Sequence, residues 1–244
     1  MNGVAIEIGP FSIRWYAILI NLGIIIAIVL SRIEAKRQGL NPDTLYDIII
    51  IALPVGIIGA RLYYVLFNLP YYLEFPSEIF KVWHGGLAIH GGLIFGILAG
   101  YVYTKIKKIP FLNWVDIVSP GIAIAQAIGR WGNYINKEAY GYITDLPWAI
   151  YIDGAYRHPT FLYESLWNIG VAVLLLYYMR KKYVYKGQII TSYAIFYSIG
   201  RFWIEGLRTD SLMLGNFRVA QLISILIIVI SIGIKYLLRK MNEK

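Results

Sequence analysis

The chain has 244 residues, of which 58% are hydrophobic and 15% charged, with a formal net charge of +9 and no cysteine. A soluble domain carries about 25% charged residues, so the composition favours an integral membrane protein over a soluble protein with an unusually large core. The lack of cysteine excludes disulfides, thiol-ligated metals and a cysteine nucleophile of the chain's own.

Seven apolar runs approach the roughly 20 residues that cross a bilayer. In chain order they cover about 13–31, 44–67, 85–104, 113–129, 160–179, 188–206 and 218–238. The first run follows no basic stretch and precedes no small-residue cleavage site, so we interpret it as a retained helix and not as a signal peptide. The pattern predicts an all-α integral membrane protein with seven transmembrane helices, forming a single polytopic domain over residues 1–244.

Basic residues cluster on alternate connections, after spans one, three, five and seven. These connections hold 14 of the 23 lysines and arginines: Arg32, Lys36, Arg37, Lys105, Lys107, Lys108, Arg180, Lys181, Lys182, Lys186, Lys235, Arg239, Lys240 and Lys244. The positive-inside rule therefore predicts a cytoplasmic C-terminus and an N-terminus outside. The charge excess indicates membrane topology rather than a nucleic-acid partner.

The other basic residues differ in type from the cytoplasmic set, because arginine dominates among them. Seven of these nine are arginine: Arg14, Arg61, Lys81, Arg130, Lys137, Arg157, Arg201, Arg208 and Arg218. Lysine suffices to set orientation, whereas the planar guanidinium group binds phosphate or carboxylate through two parallel hydrogen bonds. An anion site is therefore expected in the outer half of the protein.

Two outward connections are long, at residues 68–84 and about 130–159. The second contains "GYITDLPWAIYIDGAYRHP", in which turn residues separate alternating apolar ones. This pattern predicts a small outward-facing head at 130–159 that includes short strands.

Several polar residues are expected at one depth near the outer face. Arg61, His90 and Arg201 each lie five or six residues from the outer end of a span, which places them ~8 Å inside the boundary. A charge within the membrane costs roughly 2.5–3.5 kcal/mol on insertion scales and usually faces a polar interior. Tyr16 and Glu164 lie at outer ends of other spans. We therefore expect a polar cavity at the level of the outer headgroups.

Span six carries the clearest spacing, since Tyr197, Arg201, Glu205 and Arg208 follow at i, i+4, i+8 and i+11 on one helical face. Glu205 can pair with both arginines. The alternative is a structural ladder of ion pairs that ties helices together. Both interpretations stay open from the sequence.

The segment "HGGLAIHGGLIFGILAG" has a glycine every four residues at Gly92, Gly96 and Gly100, which indicates close helix packing. His84 and His90 are six residues apart and do not share a face, so a metal pair is not expected. His90 is either a hydrogen-bonded interior residue or the near-neutral base of the cavity.

The segment "GRWGNYINKEAYG" at 129–141 resembles the signature of the prolipoprotein diacylglyceryl transferase family. Further similar segments are "ARLYYVLFN", "HGGLAIHGG", "HPTFLYES" and "YSIGRFWIEGLRTDS", and the matches to the family as a whole span residues 16 to 215. The signature matches at Gly129, Arg130, Gly132, Asn133, Asn136, Glu138 and Gly141. The chain departs from the family pattern at Tyr134, in place of phenylalanine, at Phe161, in place of glutamine, and at Thr209, in place of proline.

The resemblance implies a bacterial plasma-membrane enzyme that moves the diacylglyceryl group of phosphatidylglycerol to the lipobox cysteine thiol of a preprolipoprotein, releasing glycerol 1-phosphate. It implies a seven-helix bundle with a small outer head, and no metal or organic cofactor. The partners would be the lipid, the lipobox signal peptide and the bilayer, with no nucleic acid.

Roles for individual residues follow from combining the resemblance with the expected cavity. Arg130 and Arg201 would stabilise charge on the departing phosphate, and His90 would deprotonate the thiol, unless the cationic site lowers the thiol pKa directly. The substrate-binding residues would be Tyr16, Arg61, Asn133, Asn136, Glu138, Gly141, Tyr197, Glu205 and Arg208. Glu138 and Glu205 would hold the arginines or bind the glycerol head.

Other function classes fit parts of the pattern. A lipid or anion transporter would place polar groups at the membrane midplane and contain inverted repeats, whereas these polar groups cluster at one outer depth without a detectable repeat. Two alternatives remain. One is a different enzyme that acts on phospholipid headgroups with the same anion cavity, and the other is a purely structural membrane protein.

Overall fold

A computed structural model describes residues 3–8, 11–182 and 185–242 of the chain. Lys244, predicted to belong to the last cytoplasmic cluster, lies outside the described residues. Eight α-helices and six short strands occur in the described part. The helices are α1 (Trp15–Arg37), α2 (Asp43–Phe67), α3 (Leu69–Glu74), α4 (Ile89–Ile106), α5 (Phe111–Asn136), α6 (Thr160–Lys181), α7 (Gln188–Glu205) and α8 (Val219–Asn242).

Each predicted span corresponds to one long helix. The largest difference is at the fourth span, predicted to end at residue 129, because α5 continues to Asn136 and carries the polar signature on its last two turns. Helix α1 also continues past the expected end at residue 31, through a basic last turn with Lys36 and Arg37. Both extensions contain several charged or amide side chains, so a search for apolar runs ends before them.

Six helices are long and apolar enough to cross a membrane: α1, α2, α4, α5, α6 and α8. In the most apolar 18-residue stretch of α1, only 11% of the residues are buried within the protein, and the same holds for α8. Most of the apolar side chains of these two helices are therefore exposed. A large exposed apolar surface of this kind is stable against lipid and not against water. The chain is therefore a multi-pass membrane protein.

Helix α7 is not among those six, and it carries the buried polar residues Thr191, Ser192 and Ser198. It packs against α6 and α8. Its N-terminus is capped from a distance by the buried carboxylate of Asp116 on α5, which accepts hydrogen bonds from the backbone N–H groups of Gly187, Ile189 and Ile190 at 2.7–3.0 Å.

The chain divides into two compact units, one comprising residues 1–34 with 115–244, and the other residues 35–114. The larger unit contains most of α1 and α5 together with α6, α7, α8 and all six strands. Its core is built from Ala123 of α5, Val171 and Leu175 of α6, and Ile189 of α7. The single polytopic domain expected from the sequence stays a prediction.

Small residues bring helices together within each unit. In the larger unit, a Cβ at Gly23 of α1 would lie 3.0 Å from the backbone of Ala125 on α5. In the smaller unit, a Cβ at Gly56 of α2 would lie 3.2 Å from the carbonyl oxygen of Gly92 on α4, and Gly96 faces the carbonyl oxygen of Ala52. The packing role predicted for the glycines of α4 is confirmed.

The smaller unit contains α2, α3, two 3₁₀ turns (Pro76–Phe80 and Val82–His84) and α4. The buried guanidinium of Arg61 on α2 donates to the backbone carbonyl oxygens of this connection. They belong to Glu78, Ile79, Lys81, Gly85 and Gly86. We call these five carbonyls the carbonyl cage; they satisfy every nitrogen of Arg61.

Three two-stranded antiparallel sheets complete the larger unit. They pair β1 (Val4–Ile8) with β2 (Phe11–Arg14), β3 (Ile150–Ile152) with β4 (Ala155–Arg157), and β5 (Met213–Leu214) with β6 (Phe217–Arg218). The short strands predicted within 130–159 are confirmed as β3 and β4. Gly154, at φ 80°, makes the tight turn between them.

Candidate active site

The signature segment forms the C-terminal end of α5 and the turn that follows it. Arg130, Asn133 and Asn136 are spaced by three residues and lie along one side of the last two helical turns. After the helix ends, Glu138 turns back: its backbone N–H donates to the carbonyl of Asn133, and its Oε1 accepts from the amides of Asn133 and Asn136 at 2.9 and 3.2 Å. Asn133 Oδ1 in turn lies 3.4 Å from Nη1 of Arg130.

Glu138 therefore holds the two asparagines and reaches Arg130 only through Asn133. Glu138 was expected either to hold an arginine or to bind the glycerol head. In this geometry it does not pair directly with an arginine. Each asparagine amide still has a second N–H available for a ligand.

The carboxylate of Glu164, in the first turns of α6, is the centre of the site. It is 4% exposed, and it pairs with Nε of Arg130 from α5 at 2.7 Å and with Nη1 of Arg201 from α7 at 2.9 Å. Nη1 of Arg208 lies 3.5 Å away. A buried carboxylate is stable only when it is paired, and here the pairing joins three helices at one point.

A second buried carboxylate, that of Glu205, supports the same group from α7. Its Oε2 lies 2.6 Å from Nη2 of Arg201 and 3.9 Å from Nε of Arg208. The predicted pairing of Glu205 with Arg201 is confirmed. Arg208 lies beyond the end of α7, in the turn that follows it, so the predicted single helical face stops at Glu205.

Arg208 is held by Asp210 through two parallel hydrogen bonds of 2.9 and 2.7 Å. These bonds from the guanidinium hold the pKa of the Asp210 carboxyl below its ordinary value of 3.8. We call Arg130, Arg201 and Arg208, with Glu164, Glu205 and Asp210, the arginine cluster. Its three positive and three negative charges balance.

The head segment after α5 docks onto the arginine cluster through Gly141. The backbone N–H of Gly141 donates to the carbonyl of His158, and a Cβ at this position would lie 2.6 Å from Cβ of His158 and 2.8 Å from the carbonyl oxygen of Leu207. Gly141 also forms a β-bridge with Arg208. The structure thus gives Gly141 a packing role, and its contact with substrate stays a prediction.

Arg218, at the start of α8, ties the same region to the head. Its guanidinium donates to the backbone carbonyl of Glu205 and, at 2.8 Å, to the hydroxyl of Tyr142. His158 connects the head to the start of α6, because its backbone carbonyl accepts hydrogen bonds from the N–H groups of Gly141 and Thr160.

Tyr16 and Tyr197 both lie in the larger unit. The ring of Tyr16, at the start of α1, occupies the space that a Cβ on Gly132 would need, so this glycine of the signature admits the tyrosine. Tyr197 lies one turn before Arg201 on α7 and stacks against Tyr193 with ring centroids 5.8 Å apart.

Two residues predicted for the site belong to the smaller unit. Arg61 is enclosed by the carbonyl cage, and its predicted contact with substrate stays a prediction. His90 is exposed in the first turn of α4, with its ring centroid 6.1 Å from that of Tyr63. Its predicted role as the base also stays a prediction.

The sequence places Glu164 only at the outer end of a span and does not identify it as the centre of the site. The available signal was its place in the family-like segment "HPTFLYES", shortly after a helix-starting proline. Asp210 and Asn168 were missed entirely. Asp210 follows Arg208 by two residues in a turn, where no helical periodicity applies, and Asn168 lies within an apolar run.

The cluster retains donors for a ligand. Nη2 of Arg130 and Nε of Arg201 make no hydrogen bond to the described part of the chain. The two side chains are 22% and 20% exposed, so a ligand can reach them. Two fixed cations with free N–H groups can bind an oxyanion and stabilise charge that develops on it.

Comparison with known proteins agrees with this geometry. Residues 3–237 match the family model for prolipoprotein diacylglyceryl transferase. A phosphatidylglycerol–prolipoprotein diacylglyceryl transferase of Clostridioides difficile is 54% identical over 243 residues, which is all of this chain and 98% of that relative.

Two further relatives carry the same name. The one from Clostridium novyi is 52% identical, over 95% of this chain and 94% of its own length, and the one from Listeria innocua is 48% identical, over 99% and 92%. With a family match over nearly its whole length and an arginine cluster that includes Arg130 of the signature, the chain belongs to the prolipoprotein diacylglyceryl transferase family.

Proposed function

We propose that the protein transfers the diacylglyceryl group of phosphatidylglycerol to the thiol of the lipobox cysteine of a preprolipoprotein, releasing glycerol 1-phosphate. The observation that carries the proposal is the meeting of Arg130 and Arg201 on one buried carboxylate, with guanidinium N–H groups left free. The relatives named above are phosphatidylglycerol–prolipoprotein diacylglyceryl transferases, which supports the same substrates.

The reaction forms a carbon–sulfur bond and breaks the bond between the glycerol carbon of the lipid and the phosphate oxygen. The thiol loses its proton, and the electron pair of the broken bond stays with the phosphate. The phosphate changes from a diester with one negative charge to a monoester with two. Arg130 and Arg201 favour this step because their attraction for the phosphate grows as the second charge develops.

The anionic partners already in the cluster set the geometry of this binding. Glu164 and Glu205 hold the guanidinium of Arg201 from two sides, at 2.9 and 2.6 Å, which fixes its plane before the lipid arrives. Donors that need no rearrangement stabilise a transition state better than mobile ones. Asn133 and Asn136, oriented by Glu138, supply neutral donors to ester or glycerol oxygens.

The acceptor thiol requires deprotonation, since the thiolate is the nucleophile. His90 is the proposed base, because histidine is the side chain that most often serves as a general base in catalysis. The alternative is that the arginines lower the thiol pKa by their charge. The chain has no cysteine, so the attacking sulfur comes from the acceptor protein.

For the membrane arrangement, we propose that α7 is the seventh span, with the N-terminus outside and the C-terminus in the cytoplasm. Its 18 residues match the length of α4, and its polar side is covered by neighbouring helices rather than lipid. The arginine cluster then lies at the outer leaflet of the plasma membrane. A small head formed by residues 130–159 caps it.

The test is reconstitution of the purified protein in phosphatidylglycerol vesicles with a lipobox peptide. We expect a thioether-linked diacylglyceryl group on the peptide cysteine and stoichiometric release of glycerol 1-phosphate, both measured by mass spectrometry. A peptide with serine in place of the cysteine is the control and stays unmodified. Movement of lipid between leaflets without a covalent product would replace the proposal with a flippase.

A further inference from the structure

A small recess lies between α6 and α7, next to the arginine cluster. It is lined by Glu164, Trp167, Asn168, Tyr197, Gly200, Arg201 and Ile204, and its volume is about 10 Å³. That volume is about the minimum for a single water-sized group. The recess therefore admits one small polar atom and excludes an acyl chain.

Asn168 is the amide side chain of this lining, and the proposed reaction has not used it. It is 2% exposed, and its amide oxygen makes no hydrogen bond in the described part of the chain. A buried polar atom without a partner is costly, so such atoms in native proteins usually serve a ligand or bind water. The oxygen and nitrogen of an amide are assigned from their hydrogen bonds, so the end of Asn168 that lacks a partner can equally carry its NH₂ group and donate to a ligand.

Other side chains that line the recess are fixed by hydrogen bonds and ion pairs, unlike the amide oxygen of Asn168. The indole N–H of Trp167 donates to the carbonyl of Phe196 at 2.9 Å, and its ring covers Gly200, where any Cβ would collide with it. Glu164 and Arg201 are joined by their ion pair at 2.9 Å. A rigid pocket around one unpaired amide is suited to binding a defined atom.

The recess extends one helical turn away from the arginines, to the level at which the ester groups of a bound phospholipid are expected. Asn168 lies four residues beyond Glu164 on α6, and Tyr197 lies four residues before Arg201 on α7, so both are one turn away from the arginines on the same side. In a glycerophospholipid, the ester carbonyls lie a few bonds from the phosphate, toward the acyl chains. A phosphate bound by Arg130 and Arg201 brings an ester carbonyl to this level.

We propose that Asn168 is a specificity-determining residue that donates an amide hydrogen bond to an ester carbonyl oxygen of the diacylglyceryl group, with that oxygen seated in the recess. This inference rests on the proposed function. It assigns Asn168 the recognition of ester-linked over ether-linked glycerolipids, because an ether-linked chain lacks the carbonyl acceptor. The reacting bond is the same in both lipids.

The experiment compares diacyl and dialkyl ether phosphatidylglycerol of equal chain length as donors to a lipobox peptide. For the wild-type enzyme, we expect kcat/KM to be about tenfold higher with the diacyl lipid, the effect of one hydrogen bond. In Asn168→Leu, kcat/KM with the diacyl lipid falls to the dialkyl value, and the dialkyl value itself is unchanged. Asn168→Ser serves the same comparison if the leucine variant does not fold.

Ser31→Ala is the matched control. Ser31 is 1% exposed, its hydroxyl also lacks a partner in the described part of the chain, and it does not line the recess. This variant should keep the wild-type preference for the diacyl lipid.

Two results would overturn the assignment: equal wild-type use of the two lipids, or an equal loss with both lipids in the Asn168 variants. The second would identify a structural role or a bound water. Absence of thioether product from the wild-type enzyme with either lipid would instead refute the proposed function itself.

Discussion

Arg61 and Arg201 were expected at the same depth on two outward-running helices, yet the structure surrounds them with different groups. Arg61 is 6% exposed and donates its hydrogen bonds in the described part of the chain to backbone carbonyls, whereas Arg201 binds the carboxylates of Glu164 and Glu205. A carbonyl group is a neutral dipole, so the carbonyl cage does not cancel the charge of Arg61. The hydrogen bonds instead order the connection between α3 and α4 around the guanidinium. Carboxylates balance the charge of a cation without using all of its donors, which leaves Arg201 suited to a further anion.

The comparison teaches that a buried arginine in a membrane helix has two distinct uses. In the smaller unit, the guanidinium replaces the missing hydrogen-bond partners of the connection between α3 and α4. In the larger unit, three guanidinium groups share carboxylates, and those of Arg130 and Arg201 each keep a nitrogen that makes no hydrogen bond to the described residues. The residue type is the same in both and the sequence predicted the same depth for both, so the partners distinguish a loop-organising arginine from a candidate catalytic one.

The largest expected effect separates these two arginines directly. In Arg201→Lys, kcat/KM for lipobox-peptide modification should fall about 100-fold or more, because an ammonium group cannot reproduce the fixed guanidinium fork at the developing phosphate charge. In Arg61→Lys, the unfolding temperature in detergent should fall while kcat/KM per folded molecule changes less than threefold or so. Equal losses of kcat/KM in both variants would break the comparison and return Arg61 to the substrate contacts.

A second prediction concerns the carboxylate that joins the helices. Glu164→Gln should lower the free energy of unfolding by about 3 kcal/mol, since the arginines would lose a shared buried counter-charge. Denaturant titration of the purified protein measures this change. Glu74→Gln, an exposed carboxylate on α3, is the control and should leave stability within about 0.5 kcal/mol of wild type. Unchanged stability in the Glu164 variant would show that the ion pairs do not hold α5, α6 and α7 together.

A third prediction tests how the head is attached to the cluster. Gly141→Ala places a methyl group against the carbonyl of Leu207 and Cβ of His158, and should cost about 1–3 kcal/mol through overpacking. We expect kcat/KM to fall roughly tenfold as the segment carrying Arg208 shifts. Gly170→Ala on α6, where a Cβ meets no other atom within 4 Å, is the control and should be neutral. Equal behaviour of the two variants would mean that this contact is not needed.

The smallest expected effect is a pH dependence of stability from the pair formed by Arg208 and Asp210. The guanidinium lowers the pKa of Asp210 in the folded protein, so the pair stabilises the fold above the ordinary value of 3.8, and this contribution is lost as pH falls below it. Between pH 6 and 3, the unfolding temperature of Asp210→Asn should therefore fall less than that of wild type. Parallel curves for the two proteins would refute this contribution, and Asp145→Asn serves as the exposed control.

The sequence determined the long helices and the residues of the signature. Apolar runs of sufficient length specify spanning helices because lipid leaves backbone groups no partner but the helix itself. The glycine spacing of α4 likewise determined its close approach to α2, since a repeat of four keeps small residues on one face. Pairing of Arg201 with Glu205 was predictable for the same reason of local periodicity.

Only the tertiary structure decided which distant groups share a partner. Glu164 joins Arg130 to Arg201 across three helices, Arg61 is satisfied by carbonyls of a loop, and the amide oxygen of Asn168 lacks a partner in the described part of the chain. Phe161 and Tyr134 are both departures from the family pattern, and their rings stack with centroids 4.7 Å apart. The sequence alone did not predict this contact. Such pairings depend on how helices cross, and helical periodicity fixes the face of a residue but not what lies opposite it.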